Sequence, residues 1–433
     1  MADGSTTRGN GKRGKPIAIT GIGVITALGR NVEENWKNLI AGQSGIHAIT
    51  RFPTEGLRTT IAGSVDFLDL ERTTPPALSQ ALADNAAAEA MGQAGWLDEE
   101  DEFPGELFIA APPLEHDWET RLELCHTLAG GPDSPYTMPG ASFRPNEDLT
   151  PAHRDFTFGH LAGVLARKYR TQGSPITLTT ACASGASAIQ LGVEAIRRGS
   201  HPAALAIGTD GSIQEEALIR FSLLSALSTK NDPPEGASKP FSKNRDGFVM
   251  AEGGAALVLE DPDHAKARGA PILAYVRGCG EAADTFHRTR SNPDGKAIVR
   301  SMQGAIDDAG VAPQDVGYIN AHGTSTPEND KMECLGIQSV FGDHAEKGLA
   351  VSSNKSMIGH TLTAAGAVEA SFSVMTLIDG TLPPTINYEN PDPNLPLDVV
   401  PNEARKASPD FALSNSFGFG GQNVSLVFSR EAD

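Results

Sequence analysis

Short β-branched runs and stretches of helical period alternate along the chain. Lys15-Pro-Ile-Ala-Ile-Thr-Gly21 predicts a strand running into a glycine turn, and a helix follows around Val32 to Ala41. Residues 51–73 read as short strands and loops. Leu78 to Gly95 is an alanine-rich helix closed by Ala94-Gly95, and Leu107 to Ala111 is the next strand. Residues 112–150 are rich in Pro, Gly and charge, with little periodicity. A helix resumes around Phe156 to Arg170 and leads to the strand in Pro175-Ile-Thr-Leu-Thr-Thr180. Beyond it Ala188, Leu191, Ala195 and Ile196 mark one face of an amphipathic helix ending near Gly199. Ala203 to Gly208 is a strand, residues 228–247 a polar loop, and Gly254 to Glu260 another strand.

The second half repeats this order. Lys296 to Gly310 predicts a helix ending Ala309-Gly310, and Gly317-Tyr-Ile-Asn-Ala-His322 is the strand after it. The pair mirrors the helix ending at Gly95 and the strand at Leu107. Leu349-Ala-Val-Ser-Ser-Asn-Lys355 is a strand feeding a long helix, Leu362 to Ile378, as the 175–180 strand feeds its own helix. Only the element order recurs, not the residues. Alternating strands and helices, doubled, predict two similar α/β units in one body. The division falls near residues 262–272, giving halves of 16–265 and 266–433.

Composition narrows the class. The 433 residues are long enough for a sizeable core. Hydrophobic content is 39%, and no run approaches the roughly 18 apolar residues of a membrane span. Met1 to Lys15 is polar and basic without an apolar core, so it reads as a disordered leader rather than a secretory signal. Cys125, Cys182, Cys279 and Cys334 lie far apart without CxxC spacing. That fits a reducing cytoplasm and supports neither a disulfide framework nor a metal site. A net charge of −19 argues against nonspecific nucleic-acid binding. An acidic partner would need a local basic patch that this total conceals.

Cys182 follows a strand through small residues and precedes a helix, so it sits on a tight turn beside a helix N-terminus. Free N–H groups and the helix dipole there favour thiolate over thiol. Gly185 and the flanking alanines let another backbone or a ligand approach closely. A nucleophile and a buried structural cysteine both fit this stretch alone. Three further stretches stand at strand ends, where open α/β folds collect their sites. Asn320-Ala-His322-Gly-Thr-Ser-Thr-Pro327 carries a histidine among hydroxyls. Ser352-Ser-Asn-Lys355-Ser-Met-Ile-Gly-His360 carries a lysine and a second histidine, and Asn415-Ser-Phe-Gly-Phe419-Gly-Gly421 is a glycine-rich turn. Together they supply a nucleophile, two imidazoles and an atypical backbone turn.

In this order and spacing the four motifs resemble the β-ketoacyl-[acyl-carrier-protein] synthases of the elongating type. The resemblance runs from about Pro16 to Phe428 and includes Ala226-Leu-Ser-Thr-Lys-Asn-Asp and Arg245-Asp-Gly-Phe-Val. It implies a thiolase-like α/β fold, two duplicated βαβαβαβ halves in a five-layered αβαβα arrangement, usually as a homodimer, and no cofactor. It also implies an acyl group taken by Cys182 from an acyl carrier protein, ordinary or dedicated. Malonyl-carrier then loses carbon dioxide and condenses with that acyl group. His322 and His360 would stabilise the enolate, and the N–H groups of Cys182 and Phe419 would form the oxyanion hole. Lys355 would hold charge and geometry, supported by Glu369 and by Asp330 and Glu333, which the family uses to organise water and the lysine. A solvated helix face describes Asp330 and Glu333 equally well. Phe419 resembles the family's gate, Phe417 reads as packing, and Thr324 and Thr326 match positions that hold the pantetheine arm. Asp284, His287 and Thr289 would lie on a loop facing the entrance.

Two departures stand out. After the strand at Leu107 the family has a glycine-rich turn beside the acyl pocket, where this chain has Ala111-Pro112-Pro113. Proline cannot take the positive φ that glycine allows, so this wall is built differently. Ser225 stands where relatives place an arginine for carrier docking, with Arg220 or Lys230 as substitutes. Both departures suggest a specialised long- or very-long-chain paralogue, of the kind that serves bacterial envelope lipids. The alternatives are a type II polyketide ketosynthase, a thiolase or starter-type enzyme, and a non-catalytic chain-length-factor-like partner. Retention of Cys182 opposes the last, and the paired histidines oppose the thiolase and starter types.

Overall fold

The computed structural model describes residues 14–432 except 72, 98–101, 114–115, 130–153 and 155–156. Its centre is an 11-stranded sheet in the order β12–β10–β9–β14–β15–β8–β1–β7–β6–β4–β5. The first-half strands are β1 (Ile17–Thr26), β4 (Gly105–Ala110), β5 (Ile176–Leu178), β6 (Ala203–Asp210) and β7 (Gly253–Glu260). The second half supplies β8 (Ala274–Ala283), β9 (Val316–Asn320), β10 (Ala350–Ser352), β12 (Asp398–Val399), β14 (Phe411–Phe417) and β15 (Gln422–Ser429). Two short ribbons pair β2 (His47–Ala48) with β3 (Ile61–Ala62) and β11 (Thr381–Leu382) with β13 (Arg405–Lys406).

The helices used below are α1 (Val32–Ile40), α2 (Pro75–Ala94), α3 (Trp118–Ala129), α4 (His160–Lys168), α5 (Ser184–Arg197) and α6 (Glu215–Leu223). They continue with α7 (Pro262–Ala267), α8 (Lys296–Ala309), α9 (Pro327–Phe341), α10 (Lys355–Ile358) and α11 (Ala365–Asp379).

The duplication is visible in the strand order. Outward from the antiparallel β1–β8 contact the halves read β1–β7–β6–β4–β5 and β8–β15–β14–β9–β10. In each, two antiparallel pairings are followed by two parallel ones. α2 covers the outer face of the first half and α8 that of the second, while α5 and α11 pack against each other between the halves. The result is the five-layered α/β arrangement. Along β7 the layers divide alternate residues: Ala255, Leu257 and Leu259 join the inner core, Ala256 and Val258 the outer one. A strand covered on both faces therefore reads as one unbroken apolar run.

Several sequence expectations change. β1 does not turn at Gly21 but runs on to Thr26. Gly21 is needed because α2 lies directly on the strand: a Cβ there would sit 2.0 Å from the Ala90 carbonyl oxygen. Gly278 meets α8 in the same way, 2.2 Å from the Ala305 carbonyl oxygen. Within the stretch read as aperiodic, Trp118–Ala129 is a helix, and residues 130–150 lie outside the described residues. The expected leader lies outside them as far as residue 13, but Gly14 and Lys15 are held to the body. The Gly14 N–H donates to the Asp308 carbonyl at 3.0 Å, and Lys15 pairs with Asp261 at 2.7 Å.

One described segment, Leu362–Asp379, is long and apolar enough to cross a membrane by length and composition, with a mean hydropathy of 1.2. It is the central helix of the core, and 83% of it is buried. Gly185 lets α5 meet it at backbone distance, since a Cβ there would stand 2.5 Å from the Ala367 nitrogen. Truncating its buried Phe372 to alanine would cost about 3–5 kcal/mol.

Candidate active site

The turn between β5 and α5 presents Cys182. Ala181 adopts φ +50°, a left-handed conformation that disfavours an L-residue, and Ser184 holds it in place. Its Oγ accepts from the Thr180 N–H at 2.7 Å and donates to the Ala181 carbonyl at 2.5 Å. Gly418 covers the turn so closely that a Cβ would lie 2.7 Å from the Thr180 carbonyl oxygen. The N–H groups of Phe419 and of Cys182 itself are directed at the thiol.

Burial pushes that thiol up to about 11, while Lys355 and the Phe419 N–H pull the other way. The expectation of a thiolate from the helix terminus is therefore overturned for the unliganded site: desolvation outweighs the local positive potential.

The second half brings the histidines to the same place. His322 follows β9 and His360 follows α10, and both are 2% exposed. Their rings cross at 83° with centroids 5.3 Å apart. The Cys182 Sγ and one ring nitrogen from each lie within 4.8 Å of one another. Burial first, and then the Lys355 charge, hold both imidazoles well below their ordinary value, so both are neutral near pH 7.

Their tautomers follow from their partners. Lys355 Nζ donates to His322 Nδ1 at 3.4 Å, and the Leu362 N–H donates to His360 Nδ1 at 3.2 Å. A neutral ring that accepts at Nδ1 carries its proton on Nε2. Both rings thus keep an Nε2–H free to donate. The backbone of His360 is fixed as well: its N–H donates to the Val249 carbonyl at 2.7 Å, and its carbonyl accepts from the Ala251 N–H at 2.9 Å.

The carboxylates sort differently from expectation. Glu369 is the one paired with Lys355, and both side chains are essentially inaccessible. Glu333 accepts from the N–H groups of His322 at 2.8 Å and Gly323 at 2.7 Å, and from Asn415 Nδ2 at 3.0 Å. It holds the turn that carries His322. Asp330 accepts from the Phe241 N–H at 2.9 Å and stands 3.6 Å from Arg245. Neither bonds directly to the lysine through these contacts: the direct partner is Glu369, while Glu333 and Asp330 brace the backbone of His322, Gly323 and Phe241. The solvated-face reading fails, because both are fully buried. Burial pushes Glu333 and Glu369 each up to about 7.

A cavity of about 350 Å³ leads to these groups. Thr324 and Thr326 line it and share a hydroxyl contact of 2.9 Å. Phe417, Phe419, Asp284, His287 and Thr289 line it too, so the glycine-rich turn and the 284–289 loop reach the same space. Gly420 and Gly421 follow Phe419 with φ near +90°, an arrangement that leaves its ring on a hinge-like turn. Ser225 is at the rim, whereas Arg220 is tied to Glu216 at 2.5 Å.

Sequence reasoning missed Asp210, Arg288 and Arg290. Asp210 ends β6, buried, and the strand-end rule that singled out the histidines points to it equally. Cys182, His322 and His360 are also near enough to offer three ligands to a metal ion. The lysine 3.4 Å from His322 Nδ1 opposes a second cation there.

A strained cysteine turn facing two buried neutral imidazoles across a pseudo-symmetric α/β body defines the condensing enzymes of the thiolase-like class. The chain belongs to the β-ketoacyl synthase family: residues 14–265 match its N-terminal domain and residues 273–389 its C-terminal domain. It is 40% identical to the 3-oxoacyl-[acyl-carrier-protein] synthase 2 of Coxiella burnetii, over 96% of this chain and 99% of that protein. The synthase of the same name from Staphylococcus aureus is 39% identical, over 96% and 98%. A ketosynthase solved with its type II polyketide acyl-carrier protein and bound to a hexaketide superposes with a TM-score of 0.85 at 32% identity, covering 97% of this chain and all of that one. A β-ketoacyl synthase from Burkholderia phymatum gives 0.81 at 31% identity, covering 96% of this chain and 100% of that one.

Proposed function

We propose that the protein is an elongating 3-oxoacyl-[acyl-carrier-protein] synthase, adding two carbons to an acyl chain by decarboxylative condensation with malonyl-carrier. The observation that carries this is the meeting of the Cys182 Sγ with two imidazoles that both keep an Nε2–H to donate.

In the first step Sγ bonds to the carbonyl carbon of an acyl-carrier thioester. The carrier sulfur leaves and takes up the thiol proton. The oxyanion formed on the way sits between the N–H groups of Cys182 and Phe419. In the second step the malonyl C–C bond breaks, carbon dioxide departs, and the electron pair moves into an enolate. Its oxygen accepts from His322 and His360, a charge stabilised in a site that burial keeps dry. The enolate carbon bonds to the acyl carbonyl, Cys182 leaves as thiolate, and the 3-oxoacyl-carrier departs. Lys355 and Glu369 keep His322 in its tautomer; Thr324 and Thr326 hold the pantetheine arm; Phe419 gates entry to the acyl side.

The working form is a homodimer in a reducing cytoplasm. β5 is an edge strand with Ile176 43% exposed, although it leads straight to the nucleophile. Pairing of two such edges would bury it. Cys182, Cys279 and Cys334 are free thiols. A chain-length-factor-like role is not favoured, since nucleophile and histidines are all in place.

The test is intact mass after incubation with acyl-carrier, then with malonyl-carrier. An adduct that malonyl-carrier removes, with a product two carbons longer, is expected. An adduct that persists on Cys182→Ala would overturn the assignment.

A further inference from the structure

The cavity wall includes the apolar Phe221 and Leu224, the basic Arg288 and Arg290, and the carboxylates Asp246, Asp284 and Glu328. Ile219 and Leu223 stand one turn apart on α6 and are 45% and 81% exposed; Leu224, just past the helix, is 44% exposed. Phe286, at 54%, stands on the loop whose neighbours line the cavity along with Leu224. Half of the eight large apolar side chains most exposed among the described residues thus lie on α6, just past it, or on the 284–289 loop, two segments that both contribute residues to the cavity wall. Gathered exposure of this kind marks an interaction surface, where scattered exposure does not. Arg220, the basic residue of α6, is held by Glu216, which also holds Arg121, so the helix offers no unpaired positive charge. Arg288 and Arg290 line the cavity, exposed, and no carboxylate pairs with either among the described residues.

Resting on the condensing-enzyme reading, we propose that this rim docks the thioester-bearing carrier by apolar contact. The partner is a carrier whose surface beside its pantetheine arm is apolar, with Arg288 and Arg290 receiving the phosphodiester of the arm. Whatever delivers a thioester to Cys182 must stand here, because the cavity opens here. A chain with net charge −19 offers an acidic carrier no general attraction, and what the rim itself offers is the apolar group on and beside α6, with the two arginines as its local positive charge. The two arginines suit one anionic group at the threshold, which is what a pantetheine arm brings.

The experiment compares kcat/KM for acylation of the full-length protein by three octanoyl thioesters. One is free 4′-phosphopantetheine, one a carrier with an acidic helix beside the modified serine, and one the same carrier with those acidic residues replaced by leucine. The leucine-faced carrier is expected to react about tenfold better than the acidic one. Leu223→Asp should remove that advantage and leave the free thioester unaffected, and raising salt from about 50 to about 500 mM should change the leucine-faced rate less than about threefold. Arg288→Gln with Arg290→Gln should raise KM for all three. Preference for the acidic carrier, or a Leu223→Asp variant indistinguishable from the parent, would overturn the proposal. So would a change in oligomeric state on Leu223→Asp, which would make the rim a contact between copies. Failure of the free thioester to acylate the parent protein would overturn the condensing-enzyme reading itself.

Discussion

The two halves share a frame and differ in what they bury. In the first, the β5-to-α5 turn carries Cys182 at a partly exposed sheet edge. In the second, the corresponding passage from β10 to α11 is closed to solvent, and every residue from Val351 to Val374 is buried. That passage contains a lysine, a glutamate and a histidine. A nucleophile that must meet a bulky thioester needs access, whereas groups that steady a developing enolate act most strongly where water is excluded. The duplicated fold lets one chain satisfy both demands and bring the two ends within bonding reach.

The largest test of this division separates the two chemical steps. His322→Ala and His360→Ala should each slow carbon dioxide release from malonyl-carrier by roughly 10²–10³. Acylation of Cys182, followed by intact mass, should change no more than a few-fold. If both variants failed to acylate, the assignment of steps to halves would be wrong. Next in size is the cost of the buried pair. Glu369→Gln leaves Lys355 in the core without its counter-charge, and urea unfolding at about pH 8 should show a loss of about 3–5 kcal/mol. Lys168→Ala, which removes the half-exposed partner of Asp84, should cost no more than about 1 kcal/mol. Equal costs would mean that the second half gains nothing from being closed.

Much of this was legible in the chain. His322, Lys355 and the Phe419 turn follow strands, His360 follows the short helix α10, and helix 75–94 ends at the Gly95 that its alanine-rich pattern predicts. What was not legible depends on neighbours distant in sequence. Gly21 looks like a turn residue until α2 is laid across it, because close approach and turning use the same lack of a Cβ. Asp330 and Glu333 have the spacing of a solvated helix face, and only the packing of α9 beneath the His322 turn puts them inside. The Cys182 turn was placed correctly, but a helix terminus read from sequence carries no measure of desolvation, and desolvation decides its proton affinity.

Asp210 is a buried carboxylate of the first half, near Cys182, and sharpens the comparison at a smaller scale. It accepts from the N–H and hydroxyl of Thr363 at 3.1 and 2.7 Å, and from the N–H and hydroxyl of Ser212. Burial raises it, and its negative charge in turn helps to raise the Cys182 thiol. Asp210→Asn removes that charge at nearly constant shape. Alkylation of Cys182 by iodoacetamide at pH 8 should become roughly two- to fivefold faster, with its pH profile moved to lower pH. An unchanged or slower profile would show that Asp210 acts only by holding Thr363 in place.

The smallest expected effect concerns the seam between the halves. Glu252 follows the Val249–Ala251 segment that fixes the His360 backbone, and it takes Arg51 on both oxygens at 2.6 and 2.9 Å. Arg51 also holds Asp66 at 2.9 Å, and Asp66 holds His47 at the same distance. The hydrogen bond to Asp66 raises His47 above its ordinary 6.5, and the hydrogen bond to His47 lowers Asp66 below 3.8. The raised histidine stabilises fully below pH 6.5, and this is lost as pH rises through its folded value. The lowered aspartate stabilises fully above pH 3.8, and this is lost as pH falls through its folded value. The pair therefore contributes most between pH 3.8 and 6.5. His47→Gln should cost less than about 1 kcal/mol at pH 6, since the pair is more than a third exposed, and nothing measurable at pH 9. Condensation at pH 7 should be unchanged, because Arg51 still braces Glu252 without the histidine. A cost independent of pH, read from urea midpoints at the two values, would mean that His47 acts by packing alone and that its charge plays no part at the seam.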